Sequence, residues 1–541
     1  MTPKQHGGQQ GLTPEESLRL THEKGWTGGH NPWTVALVVT MATFMEVLDT
    51  AIANVSLPHI AGSLSASIDQ STWVLTSYLV SNAVVLPISG WVATRIGRKR
   101  FYLTCVLLFT ISSFLCGLAP NLGLLIFFRV LQGIGGGGLA PSEQAILADT
   151  FPPARRGMAF AVYGMAVVLA PAIGPTLGGF ITDHYTWRWV FFINVPVGIA
   201  SMLLSSRILV DPPHLVEAKK RVGPIDSIGL GLIALGLGAL EIVLDKGQED
   251  DWFNSHTIVA FSIIAAVALV SFVVWEWRQE HPVVEVRLFR DRSFAVSNLM
   301  MLVLGMALYG STVLLPLYLQ VWMGYSAQDA GMVLSPGGLM VILLLPLVGK
   351  LLGKVDARYL IMFGFLVTSV ALFHMARTLY PGIDFKTAVM LRIFQTSGIA
   401  FLFVPINAAV YNGVPPGKNN QVSGIVNLFR NMGGDIGIAL VATLIARRSQ
   451  FHQARLVEHV APSAALDARI AGIAQHLQQL GVGAAQSTKM AYGQIYGEVI
   501  KQAQTLAYLD MLVVLAVFCA LMVPAVLLTR KVKAGGAAMA H

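Results

Sequence analysis

The feature that most limits what this chain can become is a succession of long apolar runs, each nearly free of charge. Crossing a bilayer as helix takes roughly 20 apolar residues. Only helices or closed barrels can satisfy the backbone there. The runs are continuous rather than alternating, so they predict helices. Spans are expected near 33–57, 71–93, 101–119, 122–147, 158–182, 189–209, 226–245, 256–277, 294–321, 328–352, 358–378, 386–411, 421–446 and 505–529. Only 12% of the residues are charged and 54% are hydrophobic, against about 25% charged in a soluble domain. A chain of 541 residues with so few charges cannot keep an aqueous surface over most of its area. Cys105, Cys116 and Cys519 all lie in apolar runs and form no metal or redox spacing.

The net charge of +8 has a topological explanation. Lys and Arg gather in cytoplasmic loops. With the N-terminus inside, alternate loops hold Arg95, Arg98, Lys99 and Arg100; Arg155 and Arg156; Lys219, Lys220 and Arg221; Arg278, Arg287, Arg290 and Arg292; Lys354 and Arg358; Lys418; and Arg530, Lys531 and Lys533. The intervening loops 58–70, 120–121 and 322–327 hold none. Both termini are therefore expected in the cytoplasm, with an even number of spans. Residues 1–32 read as a polar cytoplasmic tail rather than a cleaved signal, and 530–541 as a second tail.

An internal repeat divides the spans. Arg129-Val-Leu-Gln132 recurs as Arg392-Ile-Phe-Gln395, and at the same shift Pro152-Pro153 becomes Pro415-Pro416. The expected organisation is an N-terminal six-helix bundle (33–209), a linker with two inserted helices (210–293) and a C-terminal six-helix bundle (294–529). Two repeated bundles imply alternating access to a site between them.

An ionisable residue inside a span marks function by default. Glu46 and Asp49 share one face of the first helix. Asp49 is about 8 residues from the outer end and Arg129 about 7, which puts both at roughly 10–12 Å depth. Burial disfavours a carboxylate and a guanidinium favours it, so a carboxyl between them can change protonation as solvent access changes. Asp49 is therefore the expected proton carrier and Arg129 its modulator; a permanent structural pair is the alternative. Glu46 is a second proton site or a contact for cationic substrates; a carboxyl facing water in the cavity is the alternative. Arg392 has a matching depth, but the ninth span holds no acid, so it bonds backbone carbonyls, pairs elsewhere or meets an anionic substrate. Asp435, within Gly433-Gly434-Asp435-Ile436-Gly437, is a proton or substrate candidate shielded from lipid. Glu143 and Glu241 lie nearer span ends and are weaker candidates. Gln132, Gln395, Trp73, Tyr78, Tyr309 and Met306 are expected near the cavity, where a greasy, adaptable lining suits varied ligands.

Residues 133–138 formally satisfy a GxGxxG pattern, but inside a membrane helix they cannot build a dinucleotide site. No metal cluster, nucleophile–base pair or Walker motif is legible. A membrane enzyme or receptor is thus disfavoured, no cofactor is expected, and a transporter of one specific metabolite stays as the alternative to export of many compounds.

Several motifs carry a resemblance. Gly90-WVATRIGRKR, containing Arg95, Gly97 and Arg98, resembles the loop motif of the major facilitator superfamily, with Thr94 where the family often has Asp. Leu48-Asp49-TAIANVSLP resembles the first-span motif of its fourteen-helix drug:proton antiporters, and Arg129-VLQGIG the fourth-span motif. Ala170-Pro171 with Gly174-Pro175-TLGG, including Gly178 and Gly179, resembles the antiporter motif of the fifth span. The resemblance implies an all-α integral membrane protein of the bacterial inner membrane. It also implies proton-gradient-driven multidrug efflux, with these motifs serving the conformational change. Segment 447–504 is long and polar, with a helical stripe of Ile470, Ile473, Leu477 and Leu480. The resemblance implies that it docks a periplasmic membrane-fusion adaptor and, through it, an outer-membrane channel. A stripe lying on the membrane or covering the outer mouth is the other reading.

Overall fold

The computed structural model describes residues 16, 21, 25–220, 225–412, 414, 418–459 and 464–531. Most of the two tails, with Lys533, lies outside these residues, as do Arg221 and the prolines at 415 and 416.

The first half begins with α1 (Pro32–Ser63), started by Asn31, whose side chain accepts from the Trp33 amide at 2.9 Å. A capping box of Ser67 and Gln70 starts α2 (Ile68–Ile96). One residue, Gly97 at φ 99°, separates α2 from α3 (Arg98–Leu118). Only glycine adopts that backbone readily, so the two helices can turn on a single residue.

The expected fourth span is two pieces, α4 (Leu122–Gly136) and α5 (Leu139–Thr150). Gly137 and Gly138 make the break. A Cβ at Gly137 would lie 2.7 Å from the Asn82 carbonyl oxygen and 2.8 Å from Val85 Cβ. Close packing against α2 thus demands glycine there, and glycine in turn weakens the helix. The fifth span, α6 (Pro153–His184), bends by 41° between Arg155–Pro171 and Ile173–His184. Pro171 and Pro175 remove helix hydrogen bonds on either side of the bend. The sixth span is also interrupted, into α7 (Trp189–Phe192) and α8 (Asn194–Ile208).

A short helix, α9 (Pro213–Lys220), precedes the inserted pair α10 (Ser227–Lys246) and α11 (His256–Arg278). The second half contains α12 (Arg292–Leu317), α13 (Ala327–Leu351), α14 (Ala357–Thr378), α15 (Phe385–Val410), α16 (Asn419–His459), α17 (Ala464–Gln479) and α18 (Ala484–Ala525). Counting the bent α6 as one span, 14 helices among the described residues are long and apolar enough to cross a membrane.

Within the first half α1 packs on α6 and α8, and α4 on α2 and α3; within the second, α12 packs on α16 and α14 on α15 and α18. The halves meet where α6 faces α13 and where α2 and α5 face α16. The inserted pair packs on itself, and α10 leans on α2 and, less, on α16.

Two helices run beyond the expected spans: those of the thirteenth and last spans continue past 446 and begin before 505, respectively. α16 runs on to His459 and α18 starts at Ala484, so segment 447–504 is mainly their continuation. The apolar stripe of α17 is largely used internally: Ile470 and Ala474 are buried against Ala491 of α18, with Ile473 and Ile495 beside them. Leu480, at the end of the stripe, is 69% exposed.

Candidate functional site

Two glycine-mediated contacts close the halves at the end bearing the basic loop. A Cβ at Gly90 would lie 2.7 Å from Gln421 Cα, and one at Gly349 would lie 3.1 Å from the Gly157 carbonyl oxygen. Helices can approach this closely only where side chains are absent. Hydrogen bonds then join the halves. Asn419 donates to Asp149 at 2.6 Å, Asn427 to Gln144 at 2.9 Å, and Arg430 to the Tyr163 hydroxyl at 2.6 Å. Asp149 also holds Arg98 in a buried ion pair of 2.6 Å. Thr94, which lacks the charge often found there, accepts from Asn420 at 3.4 Å. Arg95 lies over the Trp91 ring.

Deeper in the first half, Asp49 and Arg129 meet at 2.6 Å, each with no exposed side-chain surface. Their matched depths on α1 and α4 made this pairing legible. The surrounding bonds fix it. Arg129 Nε donates to the Val74 carbonyl at 2.9 Å, and Nη1 also to Gln132 at 2.7 Å. Gln132 and Asn194 both donate to Asp49 Oδ1, at 3.1 and 2.6 Å. Asn194 further donates to Ser113 at 3.0 Å. The guanidinium sits 4.3 Å from the centroid of the Tyr78 ring, a cation–π contact. Sequence reasoning missed Asn194 and Ser113. An Asn in an apolar run is itself a signal, because a buried amide needs partners.

A second acidic group lies alongside. Glu46 is buried and accepts from Asn82 at 3.1 Å and from Tyr78 at 3.4 Å, while its Oε2 has no hydrogen-bond partner. Glu143, expected nearer a span end, is also fully buried and accepts from Thr40 at 2.5 Å. Every residue of α5 is buried. Glu241, also expected nearer a span end, is 1% exposed where α10 meets α16, the helix that carries Asp435. Asp245, one turn on, accepts from Thr76.

The second half repeats the arrangement with one change. Arg392 Nη1 donates to Gln395 at 2.7 Å, as Arg129 does to Gln132. The shift that carries 129 to 392 carries Asp49 onto Thr312. Arg392 Nη2 donates to that Thr312 hydroxyl at 2.9 Å, and Ser311 accepts from Arg392 and Gln395 at 3.3 and 2.6 Å. The expected bond from Arg392 to backbone carbonyls is not the one formed: hydroxyls and an amide take its protons.

A small cavity of about 20 Å³, room for about one water, lies between the halves beside Arg392, lined also by Val168 and Pro171 of α6, Tyr309 and Thr312 of α12, and Thr396 of α15. Tyr309 thus faces this cavity. Trp73 does not: it is 39% exposed and lies under the Lys246 ammonium, because its face of α2 is turned to the inserted helix α10. Tyr78 belongs to the Arg129 cluster, and Met306 is buried where Gly437 of α16 packs on it. In α6, Gly174 packs on Ala51 and Gly178 on Ile52, but Gly179 faces open space and permits no close approach.

Residues 39–438 match the Major Facilitator Superfamily. Multidrug export protein EmrB of Escherichia coli K12 is 39% identical over 79% of this chain and 83% of its own. Fatty acid resistance protein FarB of Neisseria gonorrhoeae is 39% identical over 84% of this chain and 88% of its own. Among solved structures, the proton:xylose symporter XylE bound to 6-bromo-6-deoxy-D-glucose superposes with a TM-score of 0.56 at 14% identity. It covers 91% of this chain and 96% of that one, a likeness of fold.

Proposed function

The chain belongs to the Major Facilitator Superfamily, and we propose that it exports amphiphilic toxic compounds across the bacterial inner membrane in exchange for protons. The similarity to EmrB, a multidrug exporter, and to FarB, a fatty acid resistance protein, supports the export direction and the breadth of substrates. The basic loops support an orientation with both termini in the cytoplasm. With that orientation, the closed junction of α2 and α5 with α16 seals the cytoplasmic end.

The observation that carries proton coupling is the Asp49–Arg129 pair, wholly enclosed within a membrane span. Protonating Asp49 would cancel its attraction for Arg129 and loosen the bonds that Gln132 and Asn194 make to its oxygen. Arg129 lies on α4 and Asp49 on α1, the helix on which bent α6 packs. A change at the pair therefore acts directly on the element that lines the cavity. Glu46 and Asp435 are further proton or substrate groups in this reading, and the cavity beside Tyr309, Arg392 and Gln395 holds the substrate. Everted membrane vesicles carrying Asp49→Asn are expected to lose export driven by a pH gradient while keeping downhill substrate flux. Full gradient-driven accumulation by that variant would refute the assignment.

The second part of the proposal is a docking role for the helical arms. α16 has 41 residues, or about 62 Å of helix, and α18 has 42. A hydrocarbon core of about 30 Å leaves several turns of each outside it. Exposed Leu480, Met490, Tyr492 and Tyr496 line this projection. They support docking of a periplasmic membrane-fusion adaptor that leads to an outer-membrane channel. Deleting 455–495 should abolish copurification with such an adaptor; unchanged recovery would remove the docking role.

A further inference from the structure

Arg392 differs from Arg129 in one respect that bears on what the cavity binds. Both guanidiniums are buried, at 5% and 0% exposure, and each bonds the Gln three residues on. Arg129 has a carboxylate partner. Among the described residues, Arg392 has none within ion-pair distance; its partners are Ser311, Thr312 and Gln395, all neutral. Its Nε has no hydrogen-bond partner at all. A buried cation without a counter-ion is costly, and natural proteins seldom keep one without a use.

The position gives it a use. Arg392 lines the cavity between the halves, and the rest of that lining is largely apolar: Val168, Leu308, Leu334, Val341 and Ile399 surround a space reached by Tyr309 and Thr312. A net positive charge at the wall of a greasy chamber complements a molecule with one negative head and an apolar body. Arginine suits a carboxylate especially, because its planar fork can donate two parallel bonds.

We infer that Arg392 is the head-group site for amphiphilic organic carboxylates among this protein's substrates, and that Thr312, standing where the first half has Asp49, keeps the charge free for them. The inference rests on the exporter reading and deepens it. An acid at 312 would neutralise Arg392 as Asp49 neutralises Arg129 and would repel the incoming carboxylate. The hydroxyl of Thr312 holds the guanidinium in place without doing either.

The test uses the full chain in phosphatidylcholine nanodiscs, titrated with 11-(dansylamino)undecanoate and with its uncharged methyl ester. The measured quantity is the ratio of the two affinities. A charge-assisted hydrogen bond contributes about 1.5–3 kcal/mol, so Arg392→Gln should lower the preference for the carboxylate about tenfold or more. Thr312→Asp should do the same with Arg392 still present, which guards against a general loss of structure in the first variant. Arg392→Lys should restore much of the preference. A preference for the carboxylate that is absent in the native chain, or unchanged in monodisperse Thr312→Asp, would overturn the inference. So would loss of carboxylate binding when phosphatidylglycerol replaces phosphatidylcholine, since the site would then belong to membrane lipid. Export of the quaternary-ammonium analogue by everted vesicles is measured in parallel. If it proceeds while the affinity ratio is unchanged, only the carboxylate site fails. If no amphiphile is exported against its gradient, the exporter reading itself fails.

Discussion

The two halves of the molecule hold the same Arg–x–x–Gln pair at matched positions and use it in opposite ways. In the first half the guanidinium is closed in: Asp49 neutralises it, Gln132 and Asn194 bond the same carboxylate, and the Tyr78 ring covers it. In the second half hydroxyls stand where the acid would be, and the guanidinium borders a cavity. On the proposed reading, a repeated scaffold places one cation as half of an internal switch and the other as a site for ligand. The most direct difference is at one aligned position, Asp49 against Thr312.

The largest effect that could break this comparison is on folding stability. Arg129→Gln leaves Asp49 buried without its partner, and breaking a buried pair costs about 3–5 kcal/mol. Arg392→Gln strands no carboxylate, so its loss should be nearer the 1–3 kcal/mol of unpaired polar groups. Thermal unfolding of the two variants in detergent should therefore rank Arg129→Gln well below Arg392→Gln; equal losses would show that the two arginines are not used differently. A sharper version is the double variant Asp49→Asn with Arg129→Gln, which removes both charges together. It should recover a measurable part of the stability lost in Arg129→Gln alone, because no unpaired charge remains. Failure to recover any would mean that the pair's hydrogen bonds, not its charges, hold α1 to α4.

A mid-sized effect is expected at the closed end. Gly90→Val would push a branched side chain into the backbone of Asn420 and Gln421. Cross-linking of cysteines placed on α2 and α16 should then fall several-fold, with the apposition of Arg129 and Arg392 to their own partners untouched. The smallest effect contrasts two neighbouring glycines of α6. Gly178→Ala would press on Ile52 of α1, whereas Gly179→Ala meets nothing within 4 Å. Transport by the second should stay near native, with a helix gain of up to about 1 kcal/mol. Equal impairment of both would mean that α6 is not held against α1 as described.

The spans themselves were legible because a bilayer imposes one length and one polarity on every crossing segment, whatever its neighbours. The pairing of Asp49 with Arg129 was legible for a related reason: depth along a helix can be counted at a fixed rise per residue. The same counting put Glu143 and Glu241 nearer span ends, but it does not show how each is packed. Every residue of α5 is buried, and Glu241 is 1% exposed where α10 meets α16. Trp73 was expected at the cavity on composition, but its helix face is turned to α10. The partners of segment 447–504 were equally hidden, since polarity marks a segment as outside the membrane without saying that two spans simply continue into it.

What the sequence determined by itself was everything set by the solvent: helical spans, the charge asymmetry of the loops, the repeat, and the rarity of charge inside. What only the tertiary structure decided was which buried charges are satisfied. Depth is a property of one helix and can be read along the chain. A counter-ion is a property of two helices and of how each is turned about its axis. The sequence therefore shows that an acid faces Arg129 and that the ninth span offers none to Arg392, and packing adds the partners that hold each: Gln132 and Asn194 around Asp49, and Thr312 beside Arg392 at the edge of a cavity.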